Sequence, residues 1–145
     1  MERYKHTQVA YLIIIIMAAT MVLIGIVLAN AGMNWIAIGV LVVIAAALVL
    51  FSSLTVIINE DDLELRFGPG LIHERFKLHD IESSQIVRNR WYYGWGIRTT
   101  PHGWLYNVSG FQAVEIKFRT GKKSRIGTDD PQRLKEAIDL AIQGK

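Results

Sequence analysis

VAYLIIIIMAATMVLIGIVL, Val9 to Leu28, and WIAIGVLVVIAAALVLFSSL, Trp35 to Leu54, are the two runs that decide the architecture of this 145-residue chain. Both lie in one block, residues 6–59, that holds no Lys, Arg, Asp or Glu. A water-soluble domain needs charged or polar faces on its helices and strands, so a wholly soluble protein is excluded. Twenty apolar residues rising about 1.5 Å each make a helix of roughly 30 Å, one bilayer core. Only residues 29–34 join the runs, so antiparallel neighbours are expected: a transmembrane hairpin over 9–52, with helices at about 9–28 and 35–54 and the end of the second left open.

Charge near the ends of the runs gives an orientation. Arg3 and Lys5 precede the first, the link carries no cation, and Arg66 and Arg75 follow the second. The positive-inside rule then predicts a multi-pass cell-membrane protein with both termini cytoplasmic, residues 1–8 forming the N-terminal segment and 53–145 a cytoplasmic domain. Tyr4, Tyr11 and Phe51 at the inner ends and Trp35 at the outer end suit aromatic belts. Gly25 and Ala29 form a small-xxx-small pair suited to helix contact, though scattered small residues are ordinary in such helices. A rival reading takes Ala29-Asn30-Ala31 as a signal-peptide cleavage site. The first run is longer than the usual signal core of about 7–15 residues, which favours retention, and the mass of the mature protein separates the two.

Half the chain is hydrophobic (51%) and 20% is charged, with the charge crowded past residue 59, where 14 Lys and Arg face 12 Asp and Glu. That near balance gives no field on the scale nucleic acid requires, while a pI near 9.3 leans toward anionic surfaces. There is no cysteine, hence no disulfide and no thiolate metal site. The remaining residues, roughly 90, suffice for one small core.

Beyond Leu54 the apolar pattern changes to period two, broken by Gly, Pro, Asn and Asp, which predicts an antiparallel sheet. Ser53–Asn59 and Leu63–Phe67 form a hairpin around Glu60-Asp61-Asp62, and Gly68-Pro69-Gly70 returns the chain as Leu71–Lys77. A fourth strand is expected at about Ile81–Asn89, then an irregular stretch Arg90–His102, and further strands at Gly103–Val108, Ala113–Phe118 and Lys123–Gly127. Asp130 as N-cap, Pro131 at the first helical position and the stripe Leu134, Ala137, Ile138, Ala141, Ile142 predict a C-terminal helix covering the open end of a curved seven-stranded sheet.

Seven antiparallel strands and one closing helix resemble a pleckstrin-homology (PH) domain, and two spans ahead of it resemble small bacterial inner-membrane proteins carrying PH-like domains. Gly94-Trp95-Gly96-Ile97-Arg98, Gly103 to Gly110 and Ile126 to Pro131 are similar to the signature of that family. The resemblance implies a membrane α-helical hairpin plus a mainly-β PH-like domain, a partly open barrel capped by its helix, serving as a binding scaffold. Glu60, Asp61 and Asp62 stand where phosphoinositide-binding PH domains usually carry cations, so that route is not expected, and the C-terminal helix lacks the tryptophan common in eukaryotic members.

The densest chemistry lies between Arg88 and Tyr106. Trp91, Tyr92, Tyr93, Trp95, Trp104 and Tyr106 sit beside Arg88, Arg90, Arg98 and His102, rings with polar tips among phosphate- and carboxylate-seeking cations. These ten are the candidate binding residues for a protein partner or anionic lipid headgroups. The competing reading puts half of the rings in the core or against the membrane. His73, His79 and His102 match no ligand spacing, so no metal and no cofactor are expected. No Gly-x-Ser-x-Gly nucleophile motif is present, and no enzyme is expected. Lys122-Lys123-Ser124-Arg125 reads as a solvated hairpin or, alternatively, an anionic-lipid contact. The leading expectation is a non-enzymatic, membrane-anchored binding module without nucleic-acid partners. The alternative is a structural or assembly subunit, a homo-oligomer through its helical hairpin.

Overall fold

In the computed structural model, which describes residues 2–144, the first element is a strand, β1 (Tyr4–Val9), ahead of the helices α1 (Tyr11–Ala31) and α2 (Trp35–Leu50). The next strand, β2 (Ser53–Ile58), pairs with it antiparallel from Tyr4↔Ile58 to Val9↔Ser53. The ladder runs on into the joint, where Ala10 N–H donates to the Ser52 carbonyl at 2.9 Å. The helix pair therefore occupies the place of a hairpin loop. Tyr4–Val9, which straddles the expected N-terminal segment 1–8 and the start of the first span, is thus a strand of the first sheet; Met1 and Lys145 lie outside the described residues.

Neither helix buries a residue within the chain. At 21 residues and mean hydropathy 3.0, α1 is long and apolar enough to cross a membrane, and at 16 residues α2 is shorter, roughly 24 Å. The second run, whose end the sequence leaves open, is helical to Leu50, and Ser53 and Leu54 belong to the β1–β2 ladder, in keeping with the strand expected from Ser53. Polar side chains in and between the helices find backbone partners: Asn34 Oδ1 caps α2 by accepting from Ile36 and Ala37 N–H (2.9 and 3.3 Å), and Thr20 Oγ1 and Asn30 Nδ2 donate to carbonyls four residues back.

Strands β3 (Asp62–Phe67) and β4 (Ile72–Lys77) complete a sheet of order β1-β2-β3-β4. A 3-10 turn, Leu78–Asp80, anchored by buried Leu78, starts a second sheet from β5 (Ile81–Arg88), β6 (Gly96–Thr100), β7 (Gly103–Asn107), β8 (Gln112–Phe118) and β9 (Lys123–Gly127), in the order β5-β8-β9-β7-β6. Among the described residues, the expected single sheet of seven antiparallel strands is thus corrected to nine strands in two sheets with no closed barrel, and β7 and β9 run parallel. The stretch expected to be irregular contains β6, whose Ile97 and Thr99 alternate too briefly between glycines to signal a strand.

Inward positions of both sheets form one core: Leu54, Val56, Ile58, Leu63, Leu65 and Phe67 from the first face Val114, Ile116 and Ile126 from the second. Each such side chain contributes about 1.5–3 kcal/mol by leaving water. The last helix, α3 (Pro131–Gln143), packs on β5 and β8 through Leu134, Ile138 and Ala141, with Ala137 and Ile142 half-buried beside them, as its spacing predicts. Asp130 caps it, accepting from Arg133 N–H at 3.3 Å. Two glycines set tertiary approaches. Gly68 (φ 54°) turns β3 into β4 directly beneath the last carbonyls of α2, and Gly103 (φ 95°) brings β7 against the Lys123 carbonyl, leaving no room for a Cβ at either.

Candidate binding site

The segment between β5 and β6 departs from the sheet at Asn89, which is buried and whose N–H donates to the Phe111 carbonyl at 2.6 Å. A 3-10 turn, Trp91–Tyr93, follows, and Gly94 (φ 71°) redirects the chain into Trp95 and β6. Trp95 is held from two sides. Its Nε1 donates to the Gly110 carbonyl at 3.2 Å, and its ring lies 6.2 Å from that of Phe111.

Against this segment runs a polar row in which Asn89, Glu115 and Arg125 are buried and Gln85 is exposed. Arg125 Nε donates to Glu115 Oε2 (2.9 Å) and Arg125 Nη1 to Asn89 Oδ1 (3.1 Å), while Gln85 Nε2 donates to Glu115 Oε1 (2.9 Å). Burial alone would raise the pKa of the Glu115 carboxyl. The hydrogen bonds from Arg125 and Gln85, with the charges of Arg125 and Lys123, outweigh it, and the carboxyl is held below its ordinary value. Because Arg125 can only donate, the Asn89 oxygen must face it, so the amide cannot be flipped and its Nδ2 remains a donor. That Nδ2 has no partner and is closed to water, an arrangement costing about 1–3 kcal/mol.

The ten sequence candidates separate into groups. Arg88, Arg90, Trp91 and Tyr92 line a cavity of about 470 Å³ together with Asn89 and Phe111. Both guanidiniums there rest on ring faces, Arg88 5.7 Å from the centre of Phe111 and Arg90 5.9 Å from that of Tyr92. Trp91 and Tyr92 are exposed, by 77% and 57%, Tyr92 with Arg90 over one of its faces. Tyr93 is buried, continuing the ring contacts from Tyr92 to His102.

Trp95 and Arg98 line a second cavity of about 700 Å³, shared with Gly94, Gly96 and Ile97 and walled on its other side by Ile13, Met17, Ala47 and Phe51 at the feet of α1 and α2. Arg98 Nε donates to the Trp95 carbonyl at 2.8 Å. The Trp95–Phe111 ring pair stands between the two cavities, since Phe111 lines the first and Trp95 the second.

Trp104 and Tyr106 do not join either cavity. They line instead a third cavity, of about 400 Å³, with Phe76 and Phe118, and Tyr106 is a core residue, its ring 6.5 Å from Phe67 and 6.0 Å from Phe76. Burial first, then the Glu74 charge, pushes its phenol up to about 12. The basic run 122–125 also divides: Lys122 and Lys123 are exposed on the hairpin, while Arg125 is buried in its pair with Glu115. Among the described residues no three His, Cys, Asp or Glu side chains gather to hold a metal ion.

Sequence reasoning missed Asn89, Phe111 and the helix-foot residues. Asn89 stands between two arginines and reads as a polar loop residue, Phe111 follows a turn, and Ile13, Met17 and Ala47 lie within the apolar runs. No family model, curated protein or solved structure matches this chain.

Proposed function

We propose that this protein is a non-enzymatic, membrane-anchored binding module that engages anionic lipid headgroups at the cytoplasmic face, with α1 and α2 as its membrane hairpin and both termini on the cytoplasmic side. The observation that carries this reading is the cavity shared by the helix feet and Gly94–Arg98. Ile13 and Met17 stand in the first two turns of α1, roughly the first 10 Å of its rise, which is headgroup and upper acyl depth once the helix is in a bilayer. At that depth the cavity offers apolar helix surface to a chain, the Trp95 ring to the interface and the Arg98 guanidinium to a phosphate. The β1–β2 ladder runs without a linker into the helices, holding the domain at that level. A β-domain closed by a C-terminal helix is also in keeping with a PH-like scaffold.

The test is reconstitution of the full chain in nanodiscs of phosphatidylcholine containing phosphatidylglycerol, with native mass spectrometry of retained lipid. Retention of phosphatidylglycerol that falls in Arg98→Gln and Trp95→Ala supports the reading; retention equal in wild type and both variants overturns it. A second reading, an assembly subunit that oligomerises through its hairpin, is favoured by the open space around Gly25 and Gly39. It requires a concentration-independent oligomer in the same discs that Gly25→Leu disrupts.

A further inference from the structure

The cavity bounded by Arg88, Asn89, Arg90, Trp91, Tyr92 and Phe111 includes no residue of α1 or α2 and is distinct from the one at the helix feet. We infer that it is a binding site for a phosphomonoester, with the phosphate between Arg88 and Arg90 and the organic group against the rings of Trp91 and Tyr92. The inference draws on the binding role proposed above for this segment and adds a second site with its own ligand.

Three observations point to such a ligand. The cavity wall is rich in donors and carries no carboxylate: two guanidiniums and one amide, with Asp and Glu absent from its lining. Both guanidiniums are held by ring faces, an arrangement that positions them while leaving their N–H groups for an anion. Behind them lies the orphaned Nδ2 of Asn89, a residue 4% exposed and locked in orientation by Arg125. Asn89 itself lines the cavity, and a shift that opens its closed-off Nδ2 to an acceptor oxygen held between the arginines would supply the partner this donor lacks. Two guanidiniums and an amide on separate backbone positions suit the several oxygens of a phosphate better than the two of a carboxylate. A volume near 470 Å³ leaves room for the organic group, and the exposed rings of Trp91 and Tyr92 give it aromatic surface to pack on.

The experiment uses the full chain in nanodiscs of phosphatidylcholine alone, titrated calorimetrically with phenyl phosphate and, separately, with benzoate. Saturable binding of phenyl phosphate, tighter than benzoate, is expected. Arg88→Gln and Arg90→Gln should each weaken it about tenfold or more, the worth of one hydrogen bond to a charged group. Asn89→Asp retains the acceptor that Arg125 needs, replaces the orphaned donor by an oxygen and adds a negative charge beside the arginines, so it should weaken binding by a similar factor or more, and thermal unfolding of the same variant separates that loss from a loss of folding. Arg98→Gln should leave phenyl phosphate binding intact, so failure of the helix-foot reading and failure of this one are told apart. Repeating the titration with phosphatidic acid in the discs identifies the source: loss of phenyl phosphate affinity means a lipid headgroup reaches the site, and unchanged affinity means a soluble phosphomonoester is the ligand. No saturable binding, binding that survives Arg88→Gln with Arg90→Gln, or benzoate bound as tightly would overturn the assignment.

Discussion

The side-chain amide of Gln8 donates to the carbonyl of Gly127 at 2.6 Å, tying the strand before the first helix to the strand before the last. Gln8 is not alone on that face of β1. His6 Nε2 lies 2.5 Å from Asp129 Oδ1, and the Tyr4 phenol is pushed up to about 12, by burial first and then by the charges of Asp130 and Asp129. The strand that leads into α1 is therefore fastened to the start of α3, while its neighbour β2 takes the chain back from α2. Both ends of the helix pair are held by the same β-domain, and the helix feet are kept against Gly94–Arg98.

Gln8→Ala should lower unfolding free energy by about 1–3 kcal/mol, because the buried Gly127 carbonyl loses its side-chain donor. Thr7, one residue away, faces outward and exchanges only an exposed hydroxyl contact with Thr55. Thr7→Ala should stay within about 0.5 kcal/mol of wild type. Chemical unfolding of the two variants side by side measures the difference, and equal stabilities would show that β1 is not held through Gln8.

The same face explains why β1 was illegible. Its inward positions are Tyr4, His6 and Gln8, held by polar contacts, so no apolar alternation exists to be read. Where inward positions are apolar the sequence was sufficient: Leu63, Leu65 and Phe67, or Val114 and Ile116, announce their strands, and Leu134, Ile138 and Ala141 announce the buried side of α3. The parallel pairing of β7 with β9 depends on a close approach at Gly103 that no local pattern encodes. The candidate site was half visible. Arg88, Arg90, Trp91 and Tyr92 stand out by composition, but Trp104 and Tyr106 line a separate cavity with Phe76 and Phe118, and Asn89 is fixed in orientation by Arg125, 36 residues on.

Gly103 and Gly121 share a backbone conformation, φ 95° and 91°, and differ in what surrounds them. An alanine at either is strained by about 1–2 kcal/mol in that region. At Gly121 the new methyl meets open space, whereas at Gly103 it meets the Lys123 carbonyl and must push β7 from β9. Gly103→Ala should therefore cost clearly more than Gly121→Ala in thermal unfolding. Equal losses would mean that the β7–β9 contact yields without resistance.

Ile138 and Leu140 lie two residues apart on α3 with opposite fates, the first fully buried and the second 68% exposed. Ile138→Ala should cost about 2–5 kcal/mol through the cavity it leaves against β5, and Leu140→Ala within about 0.5 kcal/mol. Denaturant midpoints at unchanged slope would measure both.

Acid should act on the buried row. The carboxyls of Glu115 and Glu64 are held below their ordinary value of 4.5, Glu64 first by its hydrogen bond from Arg66 at 2.8 Å. A carboxyl depressed in the folded state binds protons more readily when unfolded. Its stabilisation is therefore complete above the unfolded pKa and is lost as pH falls from about 4.5 through the depressed folded value. Stability measured from pH 7 to pH 3 should stay level and then drop below about pH 4.5, and Glu115→Gln should shrink the drop while lowering the plateau. Arg125→Met should be worse at neutral pH, by about 3 kcal/mol, because it strands the buried Glu115 charge, and its deficit should narrow in acid as that carboxyl takes a proton. A deficit constant across the range would mean that Arg125 acts through packing and not through its charge.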